Sequence, residues 1–471
     1  MDRDARLWVA AGAYALVTLA PLFVIRIGTT VPQRGFWVEF AVALGFIGLA
    51  MLCLQAVLTA RYPKVTVTLG QDAMLQFHRQ AGLVGFGFVM FHPVILLATD
   101  GDYWEFLDPR VNFLRAIFLI IAVVALPAII ATSLWRDRLR IPYEWWRLGH
   151  GALAVLIVII GLVHITRVSY YLESLWKQGL WLAIGVASIG SVAYVRVLTP
   201  VRSGRHPYSV AAVEPLARRT WRVRVEPDES THPLDFDAGQ FAFVTIADSP
   251  FSLEQHPFSV ASSAREATHL EFAVKELGDF SATIGDVEPG QRVYVDGPYG
   301  SLALPRGDAP GVMFLAAGIG ITPIISMLRT LRDDRSEMSA VLVCANERPD
   351  DIAYRDEIDA IAEVIDLTVV HVVEHPDADW SGETGRISRE LVARALPADA
   401  ARWHYVVCGP PPMMEAVEGA LVDLGVPIER VESERFDIGA AGMVGRRGAG
   451  VRRRVLALGA LLLVAAAAFA W

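Results

Sequence analysis

Cysteine is scarce in this sequence, N-glycosylation sites are absent, and the net charge is negative. Only three of the 471 residues are cysteines, namely Cys53, Cys344 and Cys408. Cys53 lies in an apolar stretch and the other two end strand-like runs, so we expect no disulfide and a reducing compartment around the soluble part. No Asn-x-Ser/Thr sequence occurs, which excludes ordinary N-glycosylation. The net charge of −9 gives no reason to expect a nucleic-acid partner.

Apolar residues are abundant and unevenly distributed. They make up 54% of the chain, and the mean hydropathy is +0.40, which is too apolar for one soluble protein. A membrane-spanning helix needs roughly 20 mostly apolar residues. Residues 1–200 contain six such runs and therefore predict a membrane α-helical bundle of six spans, at about 8–27, 36–60, 74–99, 113–135, 146–167 and 179–197.

The loops between these runs differ in charge. Lys and Arg follow the second, fourth and sixth runs, at positions 61, 64, 136, 138, 140, 196, 202 and 205. The loop after the third run instead carries the acidic residues at 100, 102, 105 and 108, although Arg110 also lies there. Excess Lys and Arg mark the cytoplasmic side. We therefore expect a multi-pass protein, in a bacterial cytoplasmic membrane, whose soluble part is cytoplasmic.

A last apolar run ends the chain. It covers 17 residues, 455–471, and follows Arg446, Arg447 and three arginines at 452–454. Basic residues thus flank it on the side already assigned to the cytoplasm. The pattern predicts a basic linker and a seventh spanning helix over residues 437–471, and the alternative is a helix lying in the membrane interface.

Four histidines lie in the predicted spans: His78, His92, His150 and His164. His78 and His92 lie in the third run, and His150 and His164 lie in the fifth, 14 residues apart in each case. The two histidines of one run therefore share one helix face, at two depths about 21 Å apart. The two runs point the same way, which places His78 level with His150 near the inner side and His92 level with His164 near the outer side. Each level offers two imidazoles to one iron, so we predict two haems with no open iron position, as suits electron transfer. The alternative is hydrogen-bonded core histidines.

The soluble part contains two different patterns. Short alternating runs over residues 206–306 predict antiparallel strands of a small β-barrel. Fully apolar runs that alternate with helical stretches over 310–436 predict the buried parallel strands of an α/β nucleotide-binding domain. The chain is thus expected to hold three domains and a tail.

Four motifs in the soluble part indicate cofactors. A glycine-rich turn between a buried strand and a helix lets the backbone approach a pyrophosphate, and free N–H groups at a helix start also suit phosphate. The glycine-rich turn is Gly318-Ile319-Gly320-Ile321-Thr322-Pro323, the second helix start is Gly278-Asp279-Phe280-Ser281, and the other two motifs are His256-Pro257-Phe258-Ser259 and Cys408-Gly409-Pro410.

These motifs and the histidine pairs together resemble the ferric reductase and NADPH oxidase superfamily, over about residues 60–436. The soluble half resembles ferredoxin–NADP reductases. The resemblance implies that the segments beginning at His256 and Gly278 bind FAD, and that Cys408 lies beside the transferring hydride within the Cys-Gly-Pro element of the nucleotide site. It also implies that Phe436, in Glu434-Arg435-Phe436, stacks on the flavin ring.

The resemblance also implies an activity. It is electron transfer from cytoplasmic NAD(P)H through FAD and two b-type haems to oxygen, giving superoxide, or to a ferric or cupric chelate outside. The alternative is a cytoplasmic NAD(P)H–flavin reductase anchored by a non-haem helical bundle or channel. We expect no obligate protein partner, because the sequence has no calcium-binding loop of the EF-hand type and no long proline-rich tail.

The donor nucleotide depends on two neighbouring residues of opposite charge. Glu347 and Arg348 follow the second strand of the α/β domain, where the strand end meets the adenosine ribose. Arg348 would attract a 2′-phosphate, whereas Glu347 would favour a free 2′-hydroxyl. We expect NADPH as the donor, with NADH as the alternative.

Overall fold

The structure, a computed structural model, describes residues 3–28, 31–63, 65, 70–229, 231–305, 309–434 and 446–471. Within these residues, seven helices are long and apolar enough to cross a membrane. They are α1 (Arg3–Arg26), α2 (Phe36–Leu58), α3 (Gln71–Thr99), α4 (Phe113–Leu134), α5 (Tyr143–Val168), α6 (Leu175–Ala193) and, at the end of the chain, α13 (Arg446–Ala470). The predicted helical bundle is confirmed.

Helix α2 lies at the centre of the bundle and is the most buried of the seven. It packs against α1, α3, α6 and α13. A Cβ atom on Gly48 would lie 2.5 Å from the Val89 side chain, so glycine allows α2 and α3 to approach closely, as small residues do between membrane helices. Helices α3, α4 and α5, which include the two histidine-bearing helices α3 and α5, are much less buried.

The C-terminal helix α13 crosses the full depth of the bundle beside α1. Near its start, the Arg454 guanidinium lies 5.1 Å from the centre of the Trp8 ring. At its other end, the Phe469 carbonyl accepts a hydrogen bond from Arg26, the last residue of α1. Because both ends of α13 meet the corresponding ends of α1, the two helices are parallel. This geometry supports a seventh span rather than a helix lying in the interface.

Exposed tryptophans lie at both ends of the bundle. They stand at 8, 135 and 145 on the side where the soluble part begins, and at 37, 104, 176 and 471 on the opposite side. Tryptophan is enriched at both membrane–water interfaces. The two sets are therefore typical of a protein that spans a bilayer.

A short helix, α7 (Thr199–Gly204), leads into an antiparallel sheet of six strands in the order β4-β3-β6-β1-β2-β5. One-turn helix α8 (Asp279–Ala282) follows β5. The predicted antiparallel barrel domain is confirmed, with strands β1 (Tyr208–Ala217), β2 (Thr220–Pro227), β3 (Phe241–Ile246), β4 (His256–Ser259), β5 (Leu270–Lys275) and β6 (Arg292–Tyr299).

The second sheet is parallel, with strand order β10-β9-β8-β7-β11-β12. The order reverses between β7 and β11, and ligands of such α/β sheets bind at the carboxyl ends of the strands at this switch point. The strands are β7 (Gly311–Ala317), β8 (Ser339–Asn346), β9 (Leu367–Val373), β10 (Glu383–Thr384), β11 (His404–Cys408) and β12 (Val431–Ser433). The helices are α9 (Ile321–Asp333), α10 (Arg355–Ala362), α11 (Arg389–Ala395) and α12 (Pro411–Asp423).

A buried charge network holds the barrel and the α/β domain together as one unit, called here the reductase module. Arg329 of α9 donates to Glu271 of β5 at 3.0 Å and to Glu357 at 2.7 Å. The Tyr354 hydroxyl donates to the same Glu271 carboxylate at 2.9 Å. Removing one partner of such a buried pair leaves an uncompensated charge. The network therefore ties β5, an edge strand of the barrel sheet, to α9 and to the start of α10.

Candidate cofactor sites

Helices α3 and α5 bring the four histidines into two pairs. The ring centres of His78 and His150 are 6.3 Å apart, and those of His92 and His164 are also 6.3 Å apart. Two metal–imidazole bonds of about 2 Å each, plus about 1 Å from each ring nitrogen to its ring centre, add up to about 6 Å. The structure thus pairs the histidines as their spacing predicts, at a separation that one metal ion between each pair requires.

Hydrogen bonds orient two of these imidazoles. His92 Nδ1 lies 2.8 Å from the carbonyl oxygen of Ala41, and His150 Nδ1 lies 3.1 Å from the Ser133 hydroxyl. A carbonyl oxygen can only accept, so the proton of His92 is on Nδ1 and the lone pair is on Nε2. Metal-binding histidines commonly donate their other N–H in this way. The histidines present are therefore suited to bind one iron ion at each depth.

An aromatic ring and two glycines are neighbours of His150 on α5. The Trp146 ring lies 5.1 Å from the His150 ring, one turn earlier on the helix. Gly149 and Gly151 flank His150 in the chain, and a Cβ atom on either would meet nothing within 4 Å.

At the outer pair, the structure adds residues that the sequence analysis did not single out. The Phe106 ring lies edge-on to His164, with ring centres 6.5 Å apart, and the Arg115 guanidinium lies 4.3 Å from the Phe106 ring centre. Arg115 stands inside an apolar run, and a charge in a membrane span is a functional signal that could have identified it. Glu39 carries the same signal. It is fully buried in α2 and accepts hydrogen bonds from Arg34 and Tyr171.

Arginines at the inner end of the bundle contact the reductase module. The Arg61 guanidinium lies 3.6 Å from the centre of the Phe243 ring, 3.1 Å from the Gln255 side-chain oxygen and 3.5 Å from the Asp296 carboxylate. Arg147, three residues before His150, donates to the Leu253 carbonyl at 2.6 Å. These contacts place the strand that begins at His256 next to the inner histidine pair.

The two predicted flavin motifs lie against each other. The rings of His256 and Phe280 stack at 4.1 Å with an angle of 20° between their planes. Burial lowers the pKa of His256 below its usual value, so the imidazole is neutral near pH 7. The Ser281 hydroxyl accepts from the backbone N–H groups of Leu277 and Gly278, both at 2.9 Å, and thereby organises the turn at α8. Within the same two motifs, Pro257 and Phe258 pair with β3 and Ser259 is buried.

The two predicted nucleotide motifs meet at the switch point. A Cβ atom on Gly320 would lie 2.3 Å from the Cys408 carbonyl oxygen, and one on Gly409 would lie 3.2 Å from the Ala317 nitrogen. Gly318 has a φ of +55°, a conformation that favours glycine. The Thr322 hydroxyl donates to the Ile319 carbonyl at 2.8 Å, which closes the turn before α9. Pro323 lies in the first turn of that helix, and Pro410 precedes α12.

The thiol of Cys408 is fully buried beside an acidic side chain. Burial, and secondarily the charge of Glu434, raises the pKa of Cys408 well above its usual value, so the group remains a thiol. The Glu434 carboxylate approaches Gly300 of the barrel so closely that a Cβ there would lie 2.8 Å from it. The two domains of the reductase module thus converge on Cys408. Phe436 lies outside the described residues.

Arg348 and Glu347 follow β8 and are both largely exposed. The Arg348 side chain lies 3.4 Å from the Asp350 carboxylate, and Glu347 lies 3.9 Å from Arg218. Both therefore stand at the carboxyl edge of the sheet, where an adenosine ribose would lie.

Three family models match the chain in the order that the sequence predicts. They are a ferric reductase like transmembrane component at residues 44–161, an FAD-binding domain at 208–303 and an oxidoreductase NAD-binding domain at 314–419. The identities of the three domains are thus consistent with the two histidine pairs, the flavin motifs and the switch point.

Known proteins resemble parts of the chain. NADH-cytochrome b5 reductase 2 of Scheffersomyces stipitis is 32% identical over 171 residues, which are 35% of this chain and 57% of that protein. The reductase component of propane 2-monooxygenase of Mycolicibacterium smegmatis is 32% identical over 236 residues, 48% of this chain and 66% of that protein. The chain thus spans less than two thirds of either relative. A solved ferredoxin reductase in carbazole 1,9a-dioxygenase is 25% identical with a TM-score of 0.44, covering 49% of this chain and 69% of that one.

Proposed function

Because this chain has the domain architecture of the ferric reductase and NADPH oxidase superfamily, we propose that it transfers electrons from a nicotinamide nucleotide across a membrane. The proposed carriers are FAD in the reductase module and two b-type haems in the bundle. A flavin accepts a hydride and releases electrons singly, and a bis-imidazole haem exchanges one electron at a time. The observation that carries the proposal is the two histidine pairs at two depths of one bundle, each with ring centres 6.3 Å apart.

The residues of the chain hold and orient these groups. Nδ1 of His92 is engaged by the Ala41 carbonyl and Nδ1 of His150 by the Ser133 hydroxyl, so Nε2 is the nitrogen that each ring would offer to a metal ion. At the other end, Cys408 remains protonated and takes no proton from the reaction. Its side chain is fully buried and its carbonyl oxygen lies against Gly320, so the Cys-Gly-Pro element meets the glycine-rich turn at this residue. No acid, base or nucleophile of the chain is required by this chemistry.

The proposed acceptor outside is oxygen or a ferric or cupric chelate. At the outer end, Arg115 lies over Phe106 beside His164, and Arg34 is paired with the buried Glu39. Proteoliposomes supplied with oxygen, ferric chelate or a quinone would show by their initial rates which acceptor is used.

The experiment that tests the proposal is quantification of haem and flavin in the purified full chain. We expect one FAD and two haems per chain, with both haems reduced by NAD(P)H under anaerobic conditions. A chain that binds FAD and reduces an artificial dye with NAD(P)H, yet contains no haem, would contradict the proposal. That result would favour a reductase anchored by a non-haem bundle.

Arg61→Ala is expected to slow electron transfer from flavin to the inner pair. The change removes the contacts with Gln255, Asp296 and Phe243 that join the bundle to the barrel. Losing a charge-assisted contact worth about 1.5 kcal/mol would lower, about tenfold, the fraction of molecules in which the barrel is docked on the bundle. Stopped-flow absorbance should show flavin reduction by NAD(P)H unchanged and haem reduction slowed. Arg138→Ala, an exposed arginine on the same side, is the matched control, and an equal slowing in both variants would contradict the assignment.

Arg348→Ala is expected to weaken the use of NADPH but not of NADH. The exposed guanidinium of Arg348, at the end of β8, is a cation that could contact a 2′-phosphate there. Losing one charge-assisted contact should lower kcat/KM for NADPH about tenfold, or about 1.4 kcal/mol. Steady-state kinetics with both nucleotides measure the effect. Arg402 precedes β11, at the amino ends of the strands of the same sheet, and Arg402→Ala should change kcat/KM for neither nucleotide. An equal loss of kcat/KM for NADPH and NADH in Arg348→Ala would refute the proposed role of Arg348.

A further inference from the structure

A cavity of about 70 Å³ opens between the inner ends of α1, α2, α3 and α13. Ala11 and Tyr14 of α1, Ala73 and Phe77 of α3, and Val451 of α13 contribute to its wall. The C-terminal helix is thus part of the cavity, and so is the residue that precedes His78. The cavity lies at the depth of one bilayer leaflet, on the side of the reductase module.

The cavity is apolar inside and positively charged at its entrance. Arg454 lines it at the level of Trp8, near the membrane surface. Tyr14 lies six residues further along α1, which is about 9 Å deeper, and its ring packs edge-on against Phe77. Arg452 and Arg453 are exposed on other faces of α13, because consecutive residues of a helix point about 100° apart. An apolar interior below an arginine is complementary to an amphiphile with an anionic head.

The size of the cavity selects between two kinds of membrane amphiphile. A cavity of about 150 Å³ accepts benzene, and this one has about 70 Å³. It therefore excludes a ring such as a quinone head group but admits part of a single alkyl chain. We propose that this cavity binds part of one acyl chain of an anionic phospholipid of the adjacent leaflet, with the phosphate at Arg454.

A bound lipid would join α13 to the rest of the bundle. Val451 and Arg454 come from α13, whereas the opposite wall comes from α1 and α3. A ligand that binds only the folded state stabilises that state. An anionic lipid should therefore raise the thermal stability of the protein, and phosphatidylcholine should do so less.

The test compares phosphatidylglycerol with phosphatidylcholine on the full chain in detergent, by native mass spectrometry and thermal unfolding. We expect one retained phosphatidylglycerol per chain and a higher unfolding temperature. Arg454→Gln should weaken this binding at least about tenfold, as expected when a charge-assisted contact to a phosphate is lost. Arg453→Gln removes the same charge from another face of the same helix and should have no such effect. Equal weakening by both variants would mean diffuse surface attraction and would overturn the proposal.

A second pair of variants tests the cavity itself. Ala11→Leu fills it and should abolish retention of phosphatidylglycerol while all the arginines remain. Ala13→Leu, an exposed position on the same helix, is the matched control and should retain the lipid. Ala73→Leu fills the cavity from α3 and should repeat the result if Ala11→Leu folds poorly. Undiminished lipid retention in the correctly folded cavity variants would overturn the proposal.

Discussion

Alanine in place of His92 or His164 is expected to abolish electron delivery to an impermeant outside acceptor, by at least about 100-fold. Each change leaves one imidazole of the outer pair without its partner at 6.3 Å. The flavin and the inner pair are untouched, so NAD(P)H should still reduce both. His78→Ala or His150→Ala should instead stop electrons after the flavin, because the inner pair is lost.

Stopped-flow absorbance of the flavin and haem bands in the four variants measures this order. Retained FAD and one remaining haem per chain must be shown first, so that misfolding is excluded. His232→Ala, an exposed histidine of the reductase module, serves as the control. If His92→Ala stopped reduction of the inner haem while His78→Ala left the outer haem reducible, the assigned direction or pairing would be wrong.

Gly320→Ala is expected to remove most of the reduction of flavin by the nucleotide. The added Cβ would lie 2.3 Å from the Cys408 carbonyl oxygen, which is backbone and cannot rotate away. The turn after β7 must then separate from the end of β11, where a nucleotide would bind between them. We expect kcat/KM for NAD(P)H to fall at least about 100-fold, or about 2.7 kcal/mol.

The control for this change is another glycine-to-alanine substitution in the same domain. Gly419 lies in α12, and a Cβ there would meet nothing within 4 Å, so Gly419→Ala should leave kcat/KM unchanged. FAD content should be the same in both variants, since the barrel is not altered. Wild-type kinetics in Gly320→Ala would show that the close approach of the two motifs is not needed for nucleotide binding.

Much of the architecture could be predicted because the relevant patterns are local. A spanning helix requires only a long apolar run, and seven such runs became seven helices. The levels of His78, His92, His150 and His164 follow from 14-residue spacings on regular helices, whose rise and pitch are constant. The change to alternating runs and then to apolar runs likewise predicted the antiparallel and the parallel sheet.

The contacts between distant parts of the chain could not be predicted in this way. Arg61 indicated only the side of the membrane, yet it contacts Asp296 across the junction between bundle and barrel. Arg115 was part of an apolar run, and only the fold places it over Phe106 beside His164. The roles of Phe436 and of the FAD-binding motifs remain predictions.

The sequence by itself determined the spans, the two histidine levels, the order of the domains and the motifs that open each nucleotide-binding turn. These features depend on the periodicity of helices and strands and on residues that are neighbours in the chain. Only the tertiary structure decided that Gly320 packs on Cys408, that Arg61 docks the barrel, and that α13 lies beside α1. Each of these depends on which strands and helices become neighbours, and that choice is made by the packing of the whole chain rather than by any local segment.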